Sequence, residues 1–211
     1  KQTYIWNGED SDFGNWQTPY VNPIYISNVV LYQLASIIQQ NDVVGRQIEG
    51  TALFCRAFGF YRLAQVYCKP YSTTANTDLG IVLRQTIDLQ VKSTRATVAE
   101  TYAKIINDLN KPAEFLPNQS GYVTRPGNPA AYAMLARVYL SMRDYENAQK
   151  FAERALELNS SLLDYNNLIL NSNPILPVFV NNPEILFFSS TLSGSLSLMS
   201  VNNAKIDSNL Y

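Results

Sequence analysis

The 211-residue chain carries 16 basic and 17 acidic residues, a net charge of -1, and is 46% hydrophobic and 12% aromatic. This length and apolar content suffice for one substantial core, and the balanced charge gives no reason to expect nucleic acid or an anionic membrane surface as a partner. The chain contains no histidine, which excludes histidine-based catalytic triads, imidazole metal ligands and a histidine general base.

Residues 1–18 are interpreted as an aromatic loop, because neither a helical nor a strand period continues along them. Aromatic rings stack on the C–H faces of a sugar, while amides and carboxylates bind its hydroxyl groups. The loop combines both kinds of group, which predicts a sugar-binding site. The candidate ligand-binding residues are Tyr4, Trp6, Asn7, Asp10, Asp12, Phe13 and Trp16.

Other interpretations of this loop stay open. Its rings could anchor the loop to the core or pack on parts of a longer protein. The spacing of Asp10, Asp12 and Gly14 has a faint similarity to a calcium loop, but the further ligands and the closing glutamate are absent. The carboxylates could also form a glycosidase pair, although nothing in the sequence sets the separation that this mechanism needs. We therefore predict no metal, no cofactor and no enzymatic activity.

Residues 19–69 are predicted to form two long helices. The apolar stripe of the first covers Pro19–Gln40, and that of the second covers Arg46–Lys69. Cys55 and Cys68 both fall within the second pattern, 13 residues apart. This spacing corresponds to about 20 Å along a helix, too far for a disulfide. We interpret both cysteines as small buried hydrophobic residues.

Residues 70–94 are predicted to form an inserted loop, with Ile81–Leu83 and Ile87–Val91 extended along the surface. The loop follows a segment that is repeated later in the chain, because Phe60–Tyr67 resembles Tyr132–Tyr139 at an offset of 72 residues. The insertion therefore separates one half of a helical repeat from its partner helix.

Residues 95–161 are predicted to form helices of the tetratricopeptide type. Thr97 and Glu100 have the spacing of a capping box, which begins a helix that Pro112 ends. Asn128 is expected to cap the next helix, with a proline at its first position.

A turn at residues 143–145 joins that helix to the last one, and the two share the residue spacing of a tetratricopeptide repeat. Alanines let two antiparallel helices approach closely, while larger side chains fill the groove between them. The predicted packing residues are Tyr132, Leu135, Ala136, Tyr139, Ala148 and Ala155.

Residues 162–211 are rich in asparagine, serine and proline and are expected to be irregular, with one short strand at Ile185–Phe188. The predicted fold is therefore mainly α: tetratricopeptide-type helical pairs with long inserted loops and little strand. We expect residues 1–211 to form a single helical core.

Several segments, in order, resemble one family. The stretch Glu49–Pro70 resembles the signature of SusD-like (RagB/SusD) nutrient-binding lipoproteins of the outer membrane. Trp16–Leu31, Thr97–Pro117, Arg125–Ala148 and Asn182–Phe188 resemble further segments of that family in the same order. Cys68 departs from the pattern, since the family usually has glycine there. The lipid-anchor cysteine, the N-terminal helix and the C-terminal half of full-length members are missing, so we expect a chain truncated at both ends.

The resemblance implies a non-catalytic protein on the cell surface, attached to the outer membrane by a lipid anchor absent from this chain. Such a protein captures a glycan or another nutrient and acts as a lid on a SusC-like TonB-dependent transporter. The tetratricopeptide helices typically face the transporter, and the opposite, irregular face holds the sugar, which corresponds here to Tyr4–Trp16. The alternative is a generic tetratricopeptide module that binds a protein partner.

Overall fold

The computed structural model describes residues 21–37, 42–88, 90–168, 177 and 181–189. Within these ranges, helices dominate and two short strands form one antiparallel sheet. No helix of the described ranges is both long enough and apolar enough to cross a bilayer. The elements are a π-helical turn Val21–Tyr25, α1 Ile26–Ile37, α2 Val43–Tyr67, β1 Leu79–Val82, β2 Arg95–Thr97, α3 Val98–Phe115, α4 Asn128–Ser141, α5 Tyr145–Leu158 and a 3-10 turn Tyr165–Asn167.

The helices pack as two successive pairs with one helix in front. Helix α2 packs along α3, α4 packs along α5, α3 contacts α4, and α1 lies against α2. The core lies between these helices, and its large side chains with less than 2% exposure include Phe54, Phe60, Ile105, Leu109, Leu135 and Val138. The predicted mainly α fold with two tetratricopeptide-type pairs is therefore confirmed.

The α4–α5 pair packs through the residues that the repeat spacing singles out. Leu135 is fully buried, Ala148 and Ala155 are 8% and 6% exposed, and Ala136 is half-buried. The ring of Phe151 stacks between those of Tyr132 and Tyr139, with centroid distances of 6.3 and 5.4 Å. Small residues thus allow the helices to approach, and stacked rings close the groove beside them.

An ion pair buried between α2 and α3 is the main polar contact inside the core. Arg56 donates from Nε and Nη2 to the two carboxylate oxygens of Asp108, at 2.8 and 2.9 Å. Its Nη1 donates to Oδ1 of Asn28 on α1, at 2.9 Å, and Lys104 forms a second ion pair with Asp108 at 2.8 Å. Arg56 and Asp108 are only 6% and 2% exposed. Burial makes each charge dependent on its partner, so this network sets the relative positions of α1, α2 and α3.

The inserted segment of residues 70–94 contains one strand, β1, among turns and loop. Strand β1 pairs with β2 in antiparallel fashion, and the pairing brings the end of the insertion back to α3. Gly80 allows this close approach, since a Cβ atom there would collide with the Thr97 carbonyl and the Thr101 hydroxyl. The backbone at Ile81 and Val82 is extended, as predicted, but Ile81 is buried and does not lie along the surface, and the described residues of Ile87–Val91 form no strand.

Three predicted helix ends are wrong. Helix α2 ends at Tyr67, so Cys68 is its C-cap residue and lies outside the helix. Helix α3 continues through Pro112 to Phe115, because proline removes only one backbone donor and the N–H of Leu116 still donates to the Pro112 carbonyl at 3.1 Å. Gly127, not Asn128, is the N-cap of α4.

The capping box at the start of α3 is confirmed. Thr97 Oγ1 accepts from the N–H of Glu100 at 3.1 Å, and the Glu100 carboxylate accepts from the N–H of Thr97 at 2.7 Å. The hydrogen bond from the Thr97 backbone holds the pKa of Glu100 below its usual value.

The predicted strand at Ile185–Phe188 is also wrong, since these residues form bends and loop. They are held by aromatic packing instead of a strand ladder. The ring of Phe187 meets those of Phe54 and Phe58 edge-on at 5.0 and 5.6 Å, and the N–H of Phe188 donates to the Val123 carbonyl at 2.7 Å. The run Ile185–Phe188 is half-buried, and its Phe187 ring packs onto α2 from a loop.

Replacing Asp108 by alanine should lower the free energy of unfolding by about 3–5 kcal/mol, because Arg56 would stay buried without its carboxylate. Urea denaturation measures this. The matched control is Glu49→Ala, which removes the surface partner of Lys111, a residue whose side chain is 57% exposed; its cost should stay below about 1 kcal/mol. Equal, small costs for both variants would contradict the structural role of the network.

Replacing Ala148 by leucine should destabilise the chain by about 1–3 kcal/mol, because the larger side chain overpacks the crossing of α4 and α5. The control is Gln149→Leu at the adjacent, exposed position. Thermal unfolding compares the two variants. An unchanged melting temperature for Ala148→Leu would show that the helices are not closely packed there.

Candidate functional site

The seven residues predicted to bind ligand lie in residues 1–20, outside the part of the chain that the structure describes. Their role stays a prediction. The structure instead shows a different cavity, between α1 and the segment that follows β1.

This cavity, which we call the α1 cleft, has a volume of about 800 Å³. One wall belongs to α1 and the other to the inserted segment. The ring of Tyr32 is 61% exposed, and the side-chain amides of Gln85 and Gln90 are also exposed. The lining residues are Asn28, Leu31, Tyr32, Gln85, Thr86, Ile87, Asp88 and Gln90.

The wall contributed by the inserted segment is held by hydrogen bonds centred on Arg84. Its Nη1 donates to Ser93 Oγ at 3.0 Å, and its Nη2 donates to the carbonyl of Asp88. The N–H of Asp88 donates to Thr86 Oγ1 at 3.1 Å, and the N–H of Gln90 donates to Asp88 Oδ1 at 2.8 Å. The guanidinium thus spans the loop, and two local bonds shape its tip.

Asn28 joins this wall to the buried ion-pair network. It is 2% exposed, and its Nδ2 donates to the Arg84 carbonyl at 3.0 Å while its Oδ1 accepts from Arg56. The amide nitrogen of Asn28 therefore bonds to the loop, and its amide oxygen bonds to the core. The position of the loop against α1 depends on the same residue that links α1 to α2.

The α1 cleft is lined by amide, hydroxyl, carboxylate and apolar side chains, which are groups that can contact a bound ligand. Asp88 is the one carboxylate among its lining residues, whereas glycoside hydrolysis normally uses two. No group of three or more metal-ligating side chains occurs in the described ranges.

The two cysteines are free and half-buried. Burial raises the pKa of Cys55 to about 11 and also raises that of Cys68, where the neighbouring Arg95 acts in the opposite direction. A thiol that stays protonated is a poor nucleophile. Neither cysteine is therefore suited to catalysis at neutral pH.

Sequence reasoning missed the α1 cleft, since it treated α1 as a core helix and residues 70–94 as a surface insertion. Tyr32 and Asp88 are far apart in the chain, and only the folding back of the insertion brings them together. The alternation of polar and apolar residues from Thr86 to Gln90 was the one local signal for a surface with two distinct sides.

Comparison with known families gives two matches. The SusD-like family model described as "Starch-binding associating with outer membrane" matches residues 1–140, and a tetratricopeptide-repeat model matches residues 129–162. The second match coincides with the α4–α5 pair.

Individual relatives agree with the family match. A SusD-like protein of Formosa agariphila is 31% identical over 120 residues, which are 56% of this chain and 22% of that protein. A SusD superfamily protein of Bacteroides thetaiotaomicron has a TM-score of 0.66 and 26% identity, over 72% of this chain and 34% of its own. A SusD-like carbohydrate binding protein of Bacteroides vulgatus shares the fold, with a TM-score of 0.61 and 22% identity over 77% of this chain and 34% of its own.

The chain thus spans about a third of these solved structures and about a fifth of the curated relative. The family model nevertheless matches about two thirds of the chain, including α1, α2, the inserted segment and α3. On this evidence the chain belongs to the SusD-like family, whose model describes starch-binding proteins that associate with the outer membrane.

Proposed function

We propose that this chain is part of a non-catalytic protein on the outer face of the outer membrane. It captures oligosaccharide, polysaccharide or another nutrient and delivers it to a SusC-like TonB-dependent transporter. The observation that supports the proposal most is the match of residues 1–140 to a family model described as starch-binding. The matched region includes the whole aromatic loop of residues 1–18.

The composition of that loop gives the proposal its chemistry. Trp6 and Trp16 offer flat apolar faces, and Asn7, Asp10 and Asp12 offer hydrogen-bonding groups beside them. Sugar recognition needs both, because a sugar ring has apolar C–H faces and a polar rim. The chain lacks histidine, and burial raises the pKa of both thiols, which disfavours a thiolate nucleophile and favours capture over turnover.

The α4–α5 pair is the surface we assign to the transporter. Leu140, Tyr145 and Leu156 are 57%, 66% and 56% exposed on these two helices. Tyr145 and Leu156 are eleven residues apart on α5 and therefore lie on the same side of that helix. Exposed large apolar side chains are suited to a protein contact. Glycan capture and transporter contact are thereby assigned to different parts of the chain.

Trp6→Ala should weaken glycan binding by about 1–3 kcal/mol if its ring is a stacking surface. Affinity electrophoresis of the full-length protein in gels containing starch, laminarin, xylan or pectin identifies the glycan, and isothermal titration with oligosaccharides of that glycan measures the affinity. Unchanged affinity together with a lower melting temperature would assign Trp6 to the core. Failure of the parent protein to bind any of the four would refute glycan capture.

Purification of the full-length protein from solubilised outer membranes should bring a TonB-dependent transporter with it. Tyr145→Glu combined with Leu156→Glu should abolish this association, because charges would replace the apolar contact. The control is Val66→Glu on α2, where the side chain is 70% exposed. Equal recovery of the transporter with both variants would show that α4 and α5 do not form the contact.

A further inference from the structure

We propose that the α1 cleft is a saccharide-binding subsite in its own right, built by residues outside the aromatic loop, with Tyr32 as its stacking surface. The inference rests on the proposed glycan capture and adds a location to it. The inference is supported by the size of the cleft, the chemistry of its lining, the hydrogen bonds that hold its walls and the exposure of Tyr32.

The size is that of a ligand site. Pockets for small molecules have volumes of about 300–1,000 Å³, and the α1 cleft has about 800 Å³. It is open along one side, since Tyr32, Gln85, Asp88 and Gln90 are all exposed residues of its lining. An open site suits a stretch of a longer chain, such as a few units of a polysaccharide.

The lining suits a neutral ligand that has both hydroxyl groups and apolar faces, since Leu31, Tyr32 and Ile87 contribute apolar surface beside the polar side chains. Gln85 and Gln90 offer amide donors and acceptors, Thr86 offers a hydroxyl, and Asp88 offers a carboxylate acceptor. None of the lining residues is cationic, so an anionic ligand would meet a carboxylate with no compensating charge. A purely apolar ligand would strip water from these polar groups without replacing their hydrogen bonds. A saccharide satisfies the amides and stacks on a ring at the same time.

The walls are held by hydrogen bonds within the protein. Arg84 ties the loop tip to Ser93 and to the Asp88 backbone, and Asn28 ties the Arg84 carbonyl to α1. Asn28 is in turn fixed by Arg56, whose guanidinium is held by Asp108 in the core. A site whose walls are already ordered loses less conformational entropy on binding, which favours affinity for a weakly interacting ligand such as a sugar.

Tyr32 contributes little to the core of the described structure. Its side chain is 61% exposed, and it lies one helical turn after the buried Asn28, on the side of α1 that faces the cleft. An exposed aromatic ring over polar side chains is the arrangement that a sugar needs. Removing the ring should change the stability of the fold little, so a loss of affinity in such a variant reports on ligand binding.

The test is binding by the intact 211-residue chain, with starch, laminarin, xylan and pectin as probes in affinity gels. Association constants are then measured by titration with oligosaccharides prepared from the polysaccharide that binds. Tyr32→Ala should lower the association constant about tenfold, as for other aromatic anchors. Tyr32→Phe keeps the ring and should stay within about twofold of the parent chain, since stacking does not need the hydroxyl.

Gln85→Ala, on the opposite wall, should lower the association constant about threefold to tenfold through the loss of a hydrogen bond. The matched control is Tyr122→Ala in the segment between α3 and α4, where the residue is 67% exposed. This control should bind as the parent chain does. Melting temperatures of all four variants verify that the fold is intact.

The outcomes separate this inference from the proposed function. If the parent chain binds a polysaccharide and Tyr32→Ala and Gln85→Ala bind it equally well, the α1 cleft is not a subsite, while glycan capture stands. If Tyr122→Ala loses as much affinity as Tyr32→Ala, the loss is not specific to the cleft and the inference is likewise overturned. If the parent chain binds none of the four probes, glycan capture by this chain fails first, and the subsite fails with it.

Discussion

The buried contact between Arg56 and Asp108 constrains much of this structure. A guanidinium and a carboxylate that are 6% and 2% exposed cannot separate without leaving a charge unpaired in the core. The pair therefore holds α2 against α3, although 52 residues separate its two members. Asn28 extends the constraint to α1, and through the Arg84 carbonyl to the inserted segment. Scaffold and α1 cleft thus depend on one connected set of polar contacts.

The insertion between α2 and α3 shows how a helical repeat can gain a new surface. The short hairpin of β1 and β2 brings the end of the insertion back to the start of α3, so the two helices still pack as a pair. Gly80 makes this possible by leaving room for the Thr97 carbonyl. The residues of the insertion that follow β1 then lie beside α1. A segment that interrupts the repeat in sequence becomes the second wall of a cleft in space.

The family relationship and the structure give complementary information. The family model covers residues 1–140 and relates the chain to starch-binding proteins of the outer membrane. The structure adds that the helices form a rigid core, stabilised by a buried ion pair and by stacked rings around Phe151. A binding protein benefits from such a core because loops and exposed rings can then be arranged for recognition without loss of the fold. The proposed transporter surface and the α1 cleft are built on different helices of that core.

Sequence by itself determined the features that depend on near neighbours. The repeat spacing of Leu135, Ala148 and Ala155 and the capping box of Thr97 and Glu100 all involve contacts within one helix or one helical hairpin. Tertiary structure decided the rest. Pro112 is fully buried inside α3, which continues past it to Phe115, and Ile185–Phe188 lies in a loop from which Phe187 packs onto α2. The α1 cleft depends on the insertion folding back against α1, a long-range contact that no local pattern encodes.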